Sequence, residues 1–414
     1  MLSEVHSRLI TEVGRDTPMG RLMREYWIPV MRSSRLEPGG APLRLTILGE
    51  KLVAYRLETG EAGVLDEACP HRGASMALAR NEKCGLRCIY HGWKIAPSGE
   101  LIEAPTHPPS FPLQRIKTRA HPVREGQGIV WTWLGEGDAP AFRQLSFTGL
   151  PDDHVIAATM VVNCNWLSPL ETLWDIFHAQ VLHNQTNRAS SRGNVYFSKT
   201  GLRTDTGLQY DYPEMLTRRT EYGFTHTNRD AAKDTSFHFI LPFIEHHTIS
   251  PDPMEDKGVH MSVPIDDEHT LIWQVFYNRF APLKSDGFGI KNLGGLHDLD
   301  NLYNNLENPG PRTPENRWGW GQDRDAMKNG KSFAGFVEKG QLMNTLAEDF
   351  CVLESQGRVD RSVELLAPVD RAVVEGRRTL LDAVESHQRG EPPLGRDLDL
   401  TQVEAVFVVN PVAA

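Results

Sequence analysis

Two short ligand-rich segments constrain this chain more than anything else in it: Cys69-Pro70-His71, then sixteen residues, then Cys88-Ile89-Tyr90-His91. Two thiolates and two imidazoles at that spacing suit a [2Fe-2S] pair, with the cysteines on one iron and the histidines on the other. Exchanging two thiolates for neutral imidazoles removes negative charge and raises the cluster's potential, so it can accept single electrons from a ferredoxin or flavin donor. Zinc is the rival ion, because Cys₂His₂ also suits a tetrahedral site and Cys84 lies close by. Zinc fingers, however, usually set two cysteines together and two histidines together, whereas here each cysteine is followed by its own histidine. Cys84 has no such partner and reads as a packed or partly exposed thiol.

With 414 residues the chain has room for two domains, each with its own core. Charged residues at 24% and apolar residues at 40% give a soluble globular balance. A net charge of −10 argues against nucleic acid or anionic membrane as a partner, since both need clustered Lys and Arg. The start, Met1-Leu2-Ser3-Glu4-Val5-His6, lacks the basic opening and apolar core of a secretory signal. No apolar run approaches the ~20 residues of a membrane span. Five cysteines, two of them committed to iron, leave an odd remainder that fits a reducing compartment, so the expected location is the cytoplasm.

Between residues 43 and 134 short strands alternate with turns. Leu43, Leu45 and Ile47 alternate, Gly49-Glu50 turns the chain, and Gly128 to Trp133 reads as a buried or half-buried strand. Both ligand pairs fall in loops of this region. The expected organisation is an N-terminal helical segment over 1–40, a cluster domain over 41–140, and a larger catalytic domain over 150–414, with the boundary in the Pro- and Gly-containing stretch from Gly135 to Pro151. The second part mixes long strands such as Thr270 to Tyr277 with helices, of which the last is expected over Asp370–His387. Residues 284–332 are rich in Gly, Asn, Asp and Pro and read as long loops with a short helix.

Ser168 to His183 carries a second constellation. Ser168 is placed as an N-cap, Pro169 as the first helical residue, and Glu171 as the partner in a capping box. Glu171, Asp175 and His178 share one helix face, whereas His183 would lie ~140° away on an unbroken helix. Both imidazoles reach one metal only if the helix ends or loosens near Gln180 to Leu182. Two histidines with a carboxylate from elsewhere make the facial triad of a mononuclear Fe(II) oxygenase, which leaves positions open for dioxygen. Glu348, Asp349 and Glu354 are the candidate carboxylates, and residue type alone does not choose among them. His246-His247 would point to opposite sheet faces and cannot easily share an ion. Together with His226 and His238 they could serve as pocket groups, and all four are left unassigned.

At these residues the chain resembles the Rieske non-haem iron oxygenases, most closely the oxygenase components of the phthalate dioxygenase-like group. The similarity runs through Pro18 to Trp27, Leu65 to Ser75, Cys84 to Lys94, Asn165-Trp166, the Glu-x3-Asp-x2-His-x4-His run at 171–183, and the tail from Asp360-Arg361-Ser362 onward. It implies that Cys69, His71, Cys88 and His91 bind the cluster. It also implies that His178, His183 and Asp349 bind the catalytic iron, and that Asp175 bridges a cluster histidine of one subunit, here His91, to His178 of its neighbour. The implied fold is α+β: an antiparallel β Rieske domain and a helix-grip catalytic domain, a curved antiparallel sheet with helices. The implied assembly is a homotrimer or a hexamer of stacked trimers.

The resemblance further implies a terminal oxygenase for an aromatic compound, an aromatic carboxylate above all, acting by dihydroxylation or by monooxygenation such as O-demethylation. It would depend on dioxygen and on a separate NAD(P)H-dependent flavin and iron–sulfur reductase, with or without a ferredoxin. The chain itself has neither a Gly-x-Gly-x-x-Gly turn nor a flavin motif. A carboxylate substrate needs a cation, and Arg203, Arg218, Arg219 and Arg229 are in the right part of the chain, although a solvated arginine is the plainer reading of each. The rival from another class is an electron carrier, a Rieske ferredoxin with an inert appendage. A zinc hydrolase built on His178 and His183 is a third reading.

Overall fold

The computed structural model describes residues 2–183, 202–203, 209–210, 214–229, 233–247, 254, 256–283, 322–336, 341–357 and 360–409. Two helices come first, α1 (Glu4–Thr11) and α2 (Pro18–Met23). Ser3 caps α1 by accepting from His6 N, and Thr17 caps α2 by accepting from Gly20 N, with Pro18 in the first turn where a missing N–H costs nothing. Strand β1 (Trp27–Arg32) also falls in the span expected to be helical.

The cluster half is built from strands β2 (Leu43–Ile47), β3 (Glu50–Arg56), β4 (Ala62–Asp66), β5 (Arg80–Glu82), β6 (Gly85–Arg87), β7 (Lys94–Ile95), β8 (Leu101–Glu103), β9 (Ala120–His121), β10 (Val123–Gly126) and β11 (Ile129–Trp133). They form three small antiparallel sheets with orders β2-β3-β4-β9, β5-β6-β7-β8 and β1-β11-β10. The first hairpin turns at Leu48-Gly49 rather than one residue later, with both residues at positive φ (52° and 76°). Leu48 tolerates that conformation because its N–H and that of Gly49 donate to the carbonyls of Pro264 and Ile265 in the other half of the molecule.

The second half opens with β12 (Val155–Val162), helices α3 (Leu167–Trp174) and α4 (Ile176–Val181), and the short pair β13 (Leu202–Arg203) and β14 (Gln209–Tyr210). Strands β15 (Glu214–Thr220), β16 (Gly223–Arg229), β17 (Lys233–Ile240), β18 (Ile244–His247), β19 (Lys257–Pro264) and β20 (Thr270–Tyr277) follow. Helices α5 (Arg324–Lys328), α6 (Gln341–Ser355) and α7 (Arg371–Gln388) and strand β21 (Val406–Val409) complete the described elements. The large sheet has the order β12-β20-β19-β18-β17-β16-β15, antiparallel throughout, with β21 paired to β17. Of the loop-rich span 284–332, residues 284–321 lie outside the described residues, and α5 is its short helix.

One face of this sheet meets the cluster half, where Trp273 Nε1 donates to the Pro29 carbonyl. The opposite face carries the helices. Trp174, the last residue of α3, sets its ring edge-on against Phe224 and Phe239, with centroids 5.5 and 5.0 Å away. Gly376 on α7 lets that helix approach: a Cβ there would lie 2.3 Å from the Trp174 ring. Gly376→Val is therefore expected to cost about 1–3 kcal/mol of stability, since Trp174 is walled in on its other sides and cannot move away. Thermal unfolding of the purified variant checks this, and an unchanged melting curve would refute the packing argument.

Candidate metal centres

The two cluster loops are built alike. In each, the cysteine carbonyl accepts from the N–H of the glycine four residues on (Gly73 to Cys69, 2.9 Å; Gly92 to Cys88, 3.0 Å). In each, the cysteine N–H donates to the carbonyl five residues on (Ala74 and Trp93, both 2.8 Å). Gly73 and Gly92 sit at φ +71° and +75°, which only glycine adopts without strain. The folds bring Cys69, His71, Cys88 and His91 together. His71 and His91 meet edge to face at 4.6 Å between centroids, and His71 stacks on Trp93 at 4.5 Å.

Both thiols are buried and both imidazoles are half-buried. Burial, with Cys88 alongside, pushes the Cys69 thiol up to about 11, so the charge of bound metal is what would favour the thiolate there. Two sulfur ligands inside and two nitrogen ligands outside fit a pair of irons whose histidine end faces the surface, beside exposed Ile89 and Tyr90. Cys84 is exposed and belongs to neither loop.

The second constellation forms around a broken helix. α3 ends at Trp174, Asp175 takes an extended conformation (φ −94°, ψ 92°), and α4 restarts at Ile176 with Asp175 Oδ1 capping it through Phe177 N at 2.9 Å. The carbonyl of Asp175, rather than its carboxylate, contacts His178 Nδ1. α4 then stops at Val181, so His183 swings round to face His178, with ring centroids 5.2 Å apart.

The expected cap at the start of α3 is corrected. Asn165 Oδ1 accepts from Leu167 N, and Ser168 Oγ accepts from Arg361. Glu171 pairs with Arg361 and Arg377, each at 2.6 Å, and both guanidiniums are buried. That network ties α3 to α7 and to the tail instead of closing a capping box.

Of the three carboxylates left open by the sequence, Asp349 on α6 joins the histidines. Its Oδ1 lies 2.9 Å from His183 Nε2 and 3.5 Å from His178 Nε2, and one donor atom from each of the three side chains falls within 4.8 Å of the others. The neighbouring Glu348 takes the far side of the same imidazole, with its Oε2 2.6 Å from His183 Nδ1. Glu354 accepts from Asn163 N.

Each imidazole thus commits Nδ1 to an oxygen acceptor, which leaves the Nε2 lone pairs and Asp349 Oδ1 aimed at one point. Asp349 Oδ1 is buried and no group donates a well-formed hydrogen bond to it. That donor set, two nitrogens and one carboxylate oxygen, fits a divalent iron with positions to spare.

Burial alone would raise the Asp349 carboxyl, but His183 and His178 hold it well below the usual carboxylate range. Burial alone would lower His183, yet Asp349 and Glu348 hold it up at about 9. In metal-free protein the His183 imidazolium therefore stabilises the fold fully below its ordinary value near 6.5, and this contribution is lost as pH rises through about 9. A metal must displace that proton. Between about pH 6.5 and 9, binding of ferrous iron is expected to release up to about one proton per chain. Calorimetry in buffers of different ionisation enthalpy checks this, and zero release at pH 7.5 would contradict it.

Arg219 donates to Glu375 and Asp382 of α7, and Arg229 pairs with Asp234, so both guanidiniums are engaged within the fold. Arg218 is exposed, and the side chain of Arg203 lies outside the described atoms. Missed from the sequence were Glu348 as the support of His183, Trp93 as the stacking partner of His71, and a buried Glu245 that accepts from Trp174 Nε1 and pairs with His226 Nε2. Only the adjacent Glu348-Asp349 pair offered a signal, since neighbours on a helix point about 100° apart and can grasp one ring from two sides.

A cluster fold placed ahead of an antiparallel sheet whose helices hold a two-histidine, one-carboxylate group defines an iron–sulfur-fed mononuclear iron oxygenase. Residues 26–120 match the Rieske [2Fe-2S] domain family, and residues 132–408 match the LigXa C-terminal domain-like family. The 3-chlorobenzoate-3,4-dioxygenase oxygenase subunit of Comamonas testosteroni is 33% identical over 94% of this chain and 90% of its own. The phthalate 4,5-dioxygenase oxygenase subunit of Pseudomonas putida is 35% identical over 95% and 89%. The terminal oxygenase of carbazole 1,9a-dioxygenase from Novosphingobium sp. KA1 has the same fold, with a TM-score of 0.57 at 20% identity over 91% of this chain and 94% of that one.

The chain belongs to the Rieske non-haem iron oxygenases, in the phthalate dioxygenase-like group. It is the terminal oxygenase component of a multicomponent enzyme, carries a [2Fe-2S] cluster and a mononuclear iron, and receives electrons from separate components. Among the described residues no helix is long and apolar enough to cross a membrane.

Proposed function

We propose that this chain hydroxylates an aromatic carboxylate with dioxygen, by dihydroxylation or by monooxygenation that ends in O-demethylation. Cys69, His71, Cys88 and His91 hold the cluster, and His178, His183 and Asp349 hold the iron. The observation that carries the reading is the convergence of His178 Nε2, His183 Nε2 and Asp349 Oδ1 on one point, with both Nδ1 atoms already engaged. When bound, the iron supplies dioxygen activation. The chain's own residues fix the rest: Glu348 and the Asp175 carbonyl set the tautomers of the two imidazoles, and Asp349 supplies the negative charge that offsets the metal. The names of the two curated relatives, a chlorobenzoate and a phthalate dioxygenase subunit, support the aromatic acid.

We divide the chain into the N-terminal segment 1–40, the cluster domain 41–140 and the catalytic domain 150–414. The assembly is a homotrimer, or two stacked trimers, in which Asp175 bridges His91 of one subunit and His178 of the next. Head-to-tail contacts of that kind close into a ring. The half-buried imidazoles of the cluster and the exposed Ile89 and Tyr90 beside them support a contact there. The electron donor is an NAD(P)H-dependent flavin and iron–sulfur reductase.

The test is product analysis with a surrogate reductase on phthalates, chlorobenzoates, phenoxybenzoates and methoxylated aromatic acids under labelled dioxygen. Label in a ring hydroxyl, or loss of a methoxy methyl as formaldehyde, is the expected result. Electron flow into the cluster with no product from any acid would overturn the reading.

A further inference from the structure

Phe224, Phe239, Glu245, His260, Gln274 and Ala158 stand in register across six neighbouring strands, and all lie on the helix-bearing face. Ala158 on this face packs in one apolar cluster with Phe350 and Leu353 of α6, the helix that carries Asp349, so the face looks toward the metal group. On β16 the same face continues, two and four residues past Phe224, with His226 and Asn228. His226 is 0% exposed and Asn228 8%. Among the described residues His226 Nδ1 has no hydrogen-bond partner, and neither has the oxygen or the nitrogen of the Asn228 amide. Three unpaired polar atoms on two adjacent same-face residues cost stability that a fold without use for them would not spare.

The chemistry of these atoms is set from behind. Glu245, also 0% exposed, takes His226 Nε2 at 2.8 Å and Trp174 Nε1 at 3.2 Å. Burial pushes the Glu245 carboxyl up while His226 draws it back. A buried pair with a net negative charge is the costly state. Two neutral arrangements give every proton an acceptor: the imidazolium against the carboxylate, or the carboxylic acid donating to Nε2. In both, Nδ1 keeps its hydrogen and is a donor. The subsite therefore offers one N–H from His226, and from Asn228 an amide N–H and a carbonyl oxygen. It is neutral overall and carries no cation of its own to hold an anion.

We propose that His226 and Asn228 form a substrate subsite for a phenolic hydroxyl, so that the aromatic acid turned over by this enzyme carries a ring hydroxyl besides its carboxylate. The hydroxyl oxygen accepts from His226 Nδ1–H, and its hydrogen goes to Asn228 Oδ1. Glu245 and Trp174 are positioning residues that keep the imidazole proton on the substrate side. This rests on the aromatic-acid reading above and narrows it.

The experiment measures dissociation constants by calorimetry for benzoate, the three monohydroxybenzoates and the matching fluorobenzoates, which have no donor. It uses the iron-loaded enzyme and the variants His226→Phe and Asn228→Leu. At least one hydroxybenzoate is expected to bind about tenfold or more tighter than both benzoate and its fluoro analogue, because a site built to bond a hydroxyl leaves polar groups unpaired without it. Both variants should reduce that preference to within about twofold. Should Asn228→Leu fail to retain the visible spectrum of the cluster, the smaller Asn228→Ala decides the point. No hydroxyl preference in the native enzyme, or a preference that survives in the variants, overturns the subsite. Failure of the aromatic-acid reading shows separately, as binding with this preference but no oxygen uptake on any acid.

Discussion

Asp349→Ala protein is expected to keep its iron–sulfur absorbance and accept electrons at the native rate, yet to lose more than about a hundredfold in product formation. Removing only an outer partner of a metal ligand costs about 10–100-fold in affinity, and loss of a ligand exceeds that. Asp349 contributes the one anionic oxygen of the group, 2.9 Å from His183 Nε2, and it holds two imidazoles around a single point. Without it two neutral nitrogens remain to bind a divalent cation, and the spare carboxylate of Glu348 is engaged on the wrong side of His183. The cluster loops lie in a separate set of sheets and share no hydrogen bond with α6 among those described. The visible spectrum, reduction kinetics and product yield of the same preparation separate the two outcomes. Product at near-native yield would show that the group is not the catalytic metal site.

The second large effect is expected from Glu348→Gln, a change of one atom that leaves the shape of the side chain alone. Glu348 Oε2 sits 2.6 Å from His183 Nδ1, and both side chains are buried. As a carboxylate it can only accept, so it fixes the proton on Nδ1 and makes Nε2 the ligand atom. Glutamine can offer either end of its amide and removes the negative charge that makes the imidazole more basic. Ferrous iron is expected to bind about 10–100-fold more weakly, with turnover recovered as iron is added in excess. An iron titration followed by activity checks this. Full activity at stoichiometric iron would mean that Glu348 has no hold on the ligand.

The cluster site was legible in the sequence because its ligands lie within 23 residues in two loops whose hydrogen bonds are local, Cys69 to Ala74 and Cys88 to Trp93. The two iron histidines were legible for a similar reason: four residues separate them, and a helix that stops at Val181 is the local condition for them to meet. The third ligand was not, since Asp349 arrives from 166 positions beyond His183 and Glu348 and Glu354 have the same chemistry. The resemblance, not residue type, singled out Asp349.

Glu171 shows the opposite case. The local pattern Ser168-Pro169-Leu170-Glu171 satisfied a capping rule, yet Arg361 and Arg377 came from the far end of the chain and outbid it. Burial of two guanidiniums demands a carboxylate between them, and that demand exceeds the worth of a cap. Arg219 and Arg229 each pair with a carboxylate of their own fold, a pairing that residue type alone does not disclose. His226 was legible only as a pocket group without an assigned role, and Asn228 and Glu245 gave no signal. Their pairing is a matter of strand register, and register is fixed by contacts across the whole sheet.

The division of labour between a cluster that stores electrons and a separate iron that meets the substrate is tested most directly by the ratio of iron to acid-labile sulfide in anaerobically reconstituted enzyme, measured alongside product formation. The account predicts about three irons for every two sulfides in active native protein, and about two for two in inactive Asp349→Ala protein. Native enzyme that forms product with about two irons for two sulfides would contradict it.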